Sequence, residues 1–366
     1  MYSCSEYVAT GHPDSTCDAT ASYILDEFLK RDPKVRFALE VQLKDHICNL
    51  AGEVTSTWKP SKEEWAEMVK AAIRKVGYTA EYAAKWPEGA TLNADKVIVN
   101  SFIGQQSPDI AQGVDREGWG DQGCFMGMAT DEVEYGYMPR DHYLANEIGK
   151  RLYRAALIGE APIGLDIKTL VAINKWENRE SEQVIVAAPM LPKNEILARE
   201  FITTTVQKVF AEHNLTFHNL IINGTGAYVV HSSVGDAGVV GRKLAVNFYG
   251  LNCPIGGGSP FGKDATKADV SLNLMARKLS LKTMLERPGA FREVYTKIAC
   301  CIGRSECFVS QFDECGNKFN SYTTELCPSA IIKSIRLDGS IPNAFYTMAT
   351  QGLFTHIDNS FSGLWK

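Results

Sequence analysis

Gly256-Gly257-Gly258-Ser259-Pro260-Phe261-Gly262-Lys263-Asp264-Ala265-Thr266-Lys267-Ala268-Asp269 carries more chemical information than any other stretch of the chain. Three glycines let a backbone approach a ligand closely, and Lys263 and Lys267, if helical, lie one turn apart and face one anion. Asp269 adds a carboxylate suited to magnesium. The pattern reads as a polyphosphate cradle, or else as a solvated turn ahead of a charged helix. It nearly matches the P-loop GxxxxGK[ST] from Gly257 to Lys263, but Asp264 stands where a magnesium-binding hydroxyl is required. Pro260 inside the loop, and the lack of an apolar strand before it, argue further against a P-loop fold.

Upstream lies a second Gly-rich turn, Val234-Gly235-Asp236-Ala237-Gly238-Val239-Val240-Gly241-Arg242-Lys243. Its adjacent Arg242 and Lys243 can neutralise phosphate, the first as a planar fork and the second as a point charge, or simply be surface charge. Near the N-terminus, Gly11-His12-Pro13-Asp14-Ser15 precedes a helical pattern from Asp18 to Leu29. A carboxylate and an imidazole at a helix mouth suit magnesium and phosphate, although a capped turn explains them equally. Lys168, in a strand pattern, is a further candidate cation.

Elsewhere, Val35, Phe37, Leu39, Val41 and Leu43 alternate with polar residues, which predicts a half-buried strand with Glu40 on its polar face. Ser61 and Glu64 form a capping box before a helix carrying Trp65, Met68, Val69, Ala72, Ile73 and Val76. Strand patterns at 96–103, 167–173, 184–188 and 220–223, and helical ones at 142–157 and 193–213, mix without βαβ alternation. The class expected is therefore α+β. With 366 residues, 45% of them apolar, the chain has material for two or three domains. A net charge of −5 gives no general attraction to nucleic acid or anionic membrane. No apolar stretch is long enough to span a bilayer and no leader is visible, so a cytoplasmic protein is expected. The 10 cysteines lack a CxxC pair and read as buried free thiols.

Taken together, GHPD at 11–14, GEVT at 52–55, QSPDI and QGVD within 106–115, GDQG and ATDE within 120–132, GDAG and GRK within 235–243, and GGG through GKDATKAD at 256–269 resemble the S-adenosylmethionine synthetase family in identity and order. That resemblance implies three related, interleaved α+β domains with pseudo-threefold symmetry, placed approximately at 1–104, 105–232 and 233–366. It implies a homodimer with active sites shared between subunits, often paired into tetramers. The implied reaction is attack of the L-methionine sulfur on C5′ of ATP, with release of triphosphate and its hydrolysis to pyrophosphate and phosphate.

Residue by residue, the resemblance makes His12, Lys168, Arg242, Lys243, Lys263 and Lys267 catalytic. Asp121, Asp166, Tyr228, Asp236 and Ser259 join His12, Lys168, Arg242, Lys243 and Lys263 in binding ATP. Glu53, Gln106, Asp236 and Lys267 bind methionine, Asp14 and Asp269 hold both Mg2+ ions, and Glu40 matches a K+ site. The segment from Gln106 to Glu117 corresponds to a gate. Ser15 replaces the family's usual lysine, Ala227 and Tyr228 replace a basic residue and a phenylalanine, Val270 replaces an arginine, and the gate is shortened. A weaker hold on triphosphate is the expected consequence at Ser15. Such losses leave open a second reading, a non-catalytic paralogue that assembles with an active subunit.

Overall fold

The structure is a computed structural model that describes residues 2–105, 117–174 and 180–355. Its elements form three four-stranded sheets.

The first unit contains α1 (Pro13–Leu29), the hairpin of β2 (Arg36–Lys44) and β3 (Ile47–Thr55), a crossover helix α2 (Lys62–Val76), and β4 (Ile98–Gly104), which lies parallel to β3. The second repeats that order with α3 (Arg140–Leu157), the hairpin of β6 (Lys168–Asn174) and β7 (Glu180–Ala187), α4 (Glu195–Glu212), and the parallel strand β8 (Thr216–Ile222). In the third, α5 (Ala268–Glu286) leads into β10 (Glu293–Cys300) and β11 (Glu306–Phe312). Here β12 (Lys318–Glu325) follows by a tight turn and is antiparallel, with no crossover helix between.

Each unit borrows its remaining edge strand. β1 (Tyr2–Val8), just ahead of α1, pairs with β6 of the second unit. β5 (Gly123–Thr130), just ahead of α3, pairs with β10 of the third. The two-residue β9 (Gly238–Val239), upstream of α5, pairs with β2 of the first. This cyclic exchange makes the fold α+β with three interleaved units related by pseudo-threefold topology.

Local chemistry explains the elements. In β2, Phe37, Leu39, Val41 and Leu43 are buried and Glu40, Gln42 and Lys44 are exposed, the period of two that the alternation predicts. Ser61 accepts from the Glu64 N–H, and Glu64 reaches back to the Ser61 N–H, so the capping box opens α2 as read. All six apolar residues expected on its inner face are buried. The first helix starts at Pro13 rather than Asp18, because the His12 ring caps it by accepting the Asp14 N–H. The strand and helix patterns read at 96–103, 167–173, 184–188, 220–223, 142–157 and 193–213 fall on β4, β6, β7, β8, α3 and α4, with ends shifted by a few residues.

Helices α1, α3 and α5 cover one face of their sheets over a shared core. Contact between α5 and β5 is close enough that a Cβ on Gly127 would stand 2.1 Å from the Ala276 carbonyl carbon. The cysteines are all free, but only Cys17, Cys48, Cys253 and Cys307 are buried, whereas Cys124, Cys301 and Cys315 are exposed. Their placement on strand ends and turns, rather than on inner faces, accounts for that departure from the expected buried set. No helix among the described residues is long and apolar enough to cross a membrane.

Candidate active site

Two groups of charge flank the Gly256–Ser259 turn. The first gathers at the mouth of α1. Asp14, 1% exposed, accepts the Val239 N–H on Oδ1 at 2.8 Å and pairs through Oδ2 with the Lys243 ammonium. Arg242 Nη1 stands 3.7 Å from Oδ1. Burial works to raise the Asp14 carboxyl, but Lys243 and the Val239 N–H outweigh it and hold it below the usual range.

His12, beside this pair, is pushed down to about 3, first by burial and then by Lys168 and Lys243. It is therefore neutral at physiological pH. Because its Nδ1 accepts the Asp14 N–H at 3.2 Å, the ring proton resides on Nε2. The imidazole thus offers one N–H donor, fixed by the helix it caps. Asp166 lies close to Lys168, and its carboxyl is raised to about 6 by burial against an N–H from Ser232 at 3.0 Å. Tyr228 donates its hydroxyl to the Asp166 carbonyl at 2.9 Å, which fixes its ring. Asp236 is exposed at the end of the one-turn helix Ser232–Gly235.

The second group lines a cavity of about 610 Å³, where Glu53, Asp121, Lys263, Lys267 and Asp269 meet Gln105, Phe125 and Ile302. Its pairing repeats that of the first. Asp269, in the first turn of α5, accepts the Gly258 N–H at 2.7 Å on Oδ1 and holds Lys263 Nζ at 2.5 Å on Oδ2. Lys267 Nζ is 2.5 Å from Asp264, which also accepts the Phe37 N–H at 2.7 Å. Lys263 and Lys267 stand on a turn preceding α5 rather than one helical turn apart, yet both reach the same cavity. Glu40 and Glu53 are diagonal neighbours on the exposed face of β2 and β3. Partial desolvation and then Glu53 raise the Glu40 carboxyl, with Lys263 opposing.

Among the described residues, no hydrogen bond or ion pair joins Asp14 or Lys243 to Asp269 or Lys263; the link is through Gly241, whose α-carbon faces Ser259. The edge of β2 shows why. Val239 pairs at Gln42 and Lys263 bridges at Ala38, four strand residues or roughly 13 Å apart. Gln106 lies outside the described residues, as does the expected gate up to residue 116. Ser15 lines a separate cavity of about 240 Å³ with His142 and Lys150, and Val270 is buried inside α5.

Sequence reading overlooked two of the carboxylates that shape these groups. Asp264 drew notice only for breaking a P-loop pattern, although a buried Asp between two cradle lysines is the natural partner of one of them. Asp18, one helical turn from Asp14, could have been found from that spacing alone.

Comparison with known proteins matches residues 1–108 to the S-adenosylmethionine synthetase N-terminal domain, 116–228 to its central domain and 230–362 to its C-terminal domain. The chain belongs to the S-adenosylmethionine synthetase family. It is 33% identical over 346 residues to the S-adenosylmethionine synthase of Helicobacter pylori, covering 90% of this chain and 85% of that one. The S-adenosylmethionine synthase of Wolinella succinogenes is 35% identical over 311 residues, covering 82% and 77%. Among solved structures, one described as an unusual S-adenosylmethionine synthetase from Campylobacter jejuni superimposes with a TM-score of 0.83 at 30% identity, covering 96% of this chain and 94% of that one. The family's three domains thus correspond to the three interleaved units seen here.

Proposed function

We propose that this chain joins L-methionine to the adenosyl group of ATP. A sulfur lone pair attacks C5′, the C5′–O bond breaks, and its electrons leave on the triphosphate oxygen, giving S-adenosylmethionine. Hydrolysis of the triphosphate to pyrophosphate and phosphate follows. Negative charge grows on the leaving group, so catalysis consists of aligning the two substrates and stabilising that charge.

The observation that carries this reading is the repeated unit of an aspartate gripping one Gly-rich-turn N–H and one lysine, Asp14 with Lys243 and Asp269 with Lys263. Each unit holds a metal-type carboxylate and a phosphate-type cation side by side. Lys168, Arg242, Lys243, Lys263 and Lys267 would neutralise the triphosphate, and the His12 Nε2–H would donate to the departing oxygen. Asp166, Tyr228, Asp236, Asp121 and Ser259 would border the nucleotide. The cavity of about 610 Å³ lies in the size range of small-molecule sites and would take methionine against Glu53 and Lys267.

Asp14 and Asp269 fit Mg2+, which is commonly held by one or two carboxylates together with substrate phosphates. No three His, Cys, Asp or Glu side chains among the described residues gather into a ready metal site, so the metal would arrive with the polyphosphate. When bound, it supplies Lewis-acid neutralisation of the phosphate chain. Glu40 would hold K+.

Two separate groups in one chain support a site completed by a second copy. The exposed face of β4, β3 and β2 offers the surface, with Ile47, Ile98 and Phe102 being 47%, 63% and 70% exposed. Placement in the cytoplasm accords with substrates that are soluble metabolites.

The test is incubation of the pure protein with ATP, MgCl2 and methionine, products resolved by mass. S-adenosylmethionine, pyrophosphate and phosphate are expected, and Asp14→Asn should abolish them. Methionine-independent release of the γ-phosphate alone, or normal turnover by Asp14→Asn, would sink the proposal.

A further inference from the structure

Segment 239–241 satisfies its backbone in two directions. Val240 donates to the Val41 carbonyl of β2 at 3.0 Å, while Val239 and Gly241 point their N–H groups the other way, into α1. Their acceptors are carboxylates rather than backbone, Asp14 Oδ1 at 2.8 Å and Asp18 Oδ1 at 2.7 Å. Two aspartates one helical turn apart therefore take the place of a neighbouring strand.

These two carboxylates are unequal. Asp14 also carries Lys243 and lies within 3.7 Å of Arg242, so it belongs to the ligand-binding group. Asp18 is 1% exposed and accepts the Gly241 N–H on Oδ1 at 2.7 Å. Gly241 sits at φ +77° and its α-carbon abuts Ser259, so a side chain there would be both strained and obstructed. Immediately after it come Arg242 and Lys243.

We infer that Asp18 is the positioning residue that holds the Arg242–Lys243 turn in place while Asp14 and the two cations are engaged with ligand. The inference rests on the function proposed above. Once Lys243 moves from Asp14 to a phosphate, the Gly241 N–H bond to Asp18 is the anchor that keeps the turn against α1. Burial raises the Asp18 carboxyl to about 7, so a neutral amide is a near stand-in. Asp18→Asn retains an oxygen acceptor; Asp18→Ala removes it.

The experiment measures KM for ATP and for methionine, and calorimetric binding of inorganic triphosphate with MgCl2, in the full chain and both variants, with circular dichroism reporting folding. A hydrogen bond to a carboxyl poised between its neutral and charged forms is worth roughly fivefold in binding. Asp18→Ala should raise KM for ATP and the triphosphate Kd by about that factor and leave KM for methionine within about twofold, with Asp18→Asn recovering most of the loss. Equal effects on both substrates, an Ala variant with unchanged triphosphate affinity, or an Asn variant no better than Ala would overturn the inference. If the wild type makes no S-adenosylmethionine, the functional reading falls, and triphosphate binding alone decides the role of Asp18. Should Asp18→Ala not fold, Asp18→Ser, whose shorter hydroxyl falls short of the Gly241 N–H, replaces it and must bind triphosphate more weakly than Asp18→Asn; Ser equal to wild type would also overturn the inference.

Discussion

Lys263 Nζ lies 2.5 Å from Asp269 Oδ2, so the cation expected to meet phosphate is parked on the carboxylate expected to meet metal. Lys243 and Asp14 repeat this relation at the mouth of α1. Charge is thus balanced before any ligand arrives. On the function proposed above, a magnesium polyphosphate would exchange these partners, Asp to metal and Lys to phosphate, with little change in the charge left unpaired.

Asp269→Asn removes Lys263's competing partner. Triphosphate without magnesium should then bind more tightly than to wild type. The pair is about a quarter exposed on each side, so its worth after solvent screening is no more than about 1 kcal/mol, a few-fold in Kd. Titration with triphosphate in chelator, then in MgCl2, reads both halves: a few-fold gain without metal and loss of most of the metal's enhancement. A variant that binds more weakly in chelator would contradict the exchange.

How far the sequence could be read follows from the range of the interactions involved. α2 was legible to the residue because its capping box and apolar spacing are local, and β2 because its alternation is uninterrupted. The exchange of β1, β5 and β9 between units depends on pairing across more than a hundred residues, for which no local pattern exists. β9 has only two residues, too few to show a period. In the site, Asp269, Lys243, Lys263 and Lys267 were legible from their Gly-rich settings and Asp14 from its place at a helix mouth, but their division into two groups is set by where each turn meets β2, a tertiary fact.

A second relation across the fold concerns Asp26. From α1 it accepts the Tyr346 N–H at 2.8 Å and the Phe345 N–H at 3.4 Å, capping helix α6 (Ala344–Gln351), whose own cap residue Asn343 makes no side-chain cap bond. Burial raises its carboxyl from 3.8 to about 6, against the two backbone N–H groups. The folded chain therefore keeps this proton where the unfolded chain has lost it. Its contribution is complete below pH 4 and disappears as pH rises through 6. Relative to Asp26→Asn, wild type should lose on the order of 2–3 kcal/mol of stability between pH 4 and pH 7. Urea unfolding of both at the two pH values measures it; a difference independent of pH would refute the assignment.

On the outer face of the first sheet, Ile98 and Ile47 are register partners, as are Phe102 and Ala51, and Asn100, Asn49 and Gln42 form a side-chain amide ladder between those rows. A second copy covering this face would bury Phe102. Phe102→Lys should then weaken self-association by tenfold or more, since a buried phenylalanine is worth about 1.5–3 kcal/mol. Sedimentation at graded concentration is the measurement, with thermal unfolding expected to change little because the side chain is 70% exposed in the single chain. An unchanged association constant would place the interface elsewhere.

Gly127 ties the sheet to the site. It lies on β5 with its α-carbon against the Ala276–Arg277 backbone of α5, and an added Cβ would come within 2.1 Å of Ala276. Backbone atoms cannot swing aside as a side chain can. The helix must shift, and its first turn holds Asp269, which fixes both Gly258 and Lys263. Gly127→Ala should therefore cost stability, about 1–3 kcal/mol as for other overpacked cores, and also raise the magnesium-dependent triphosphate Kd although it lies outside the site. Gly89→Ala is the control: no atom lies within 4 Å of a Cβ there, so its backbone strain is the sole penalty and ligand affinity should be untouched. If Gly127→Ala lowers stability while leaving triphosphate affinity at the wild-type value, the packing of α5 against β5 does not set the position of Asp269.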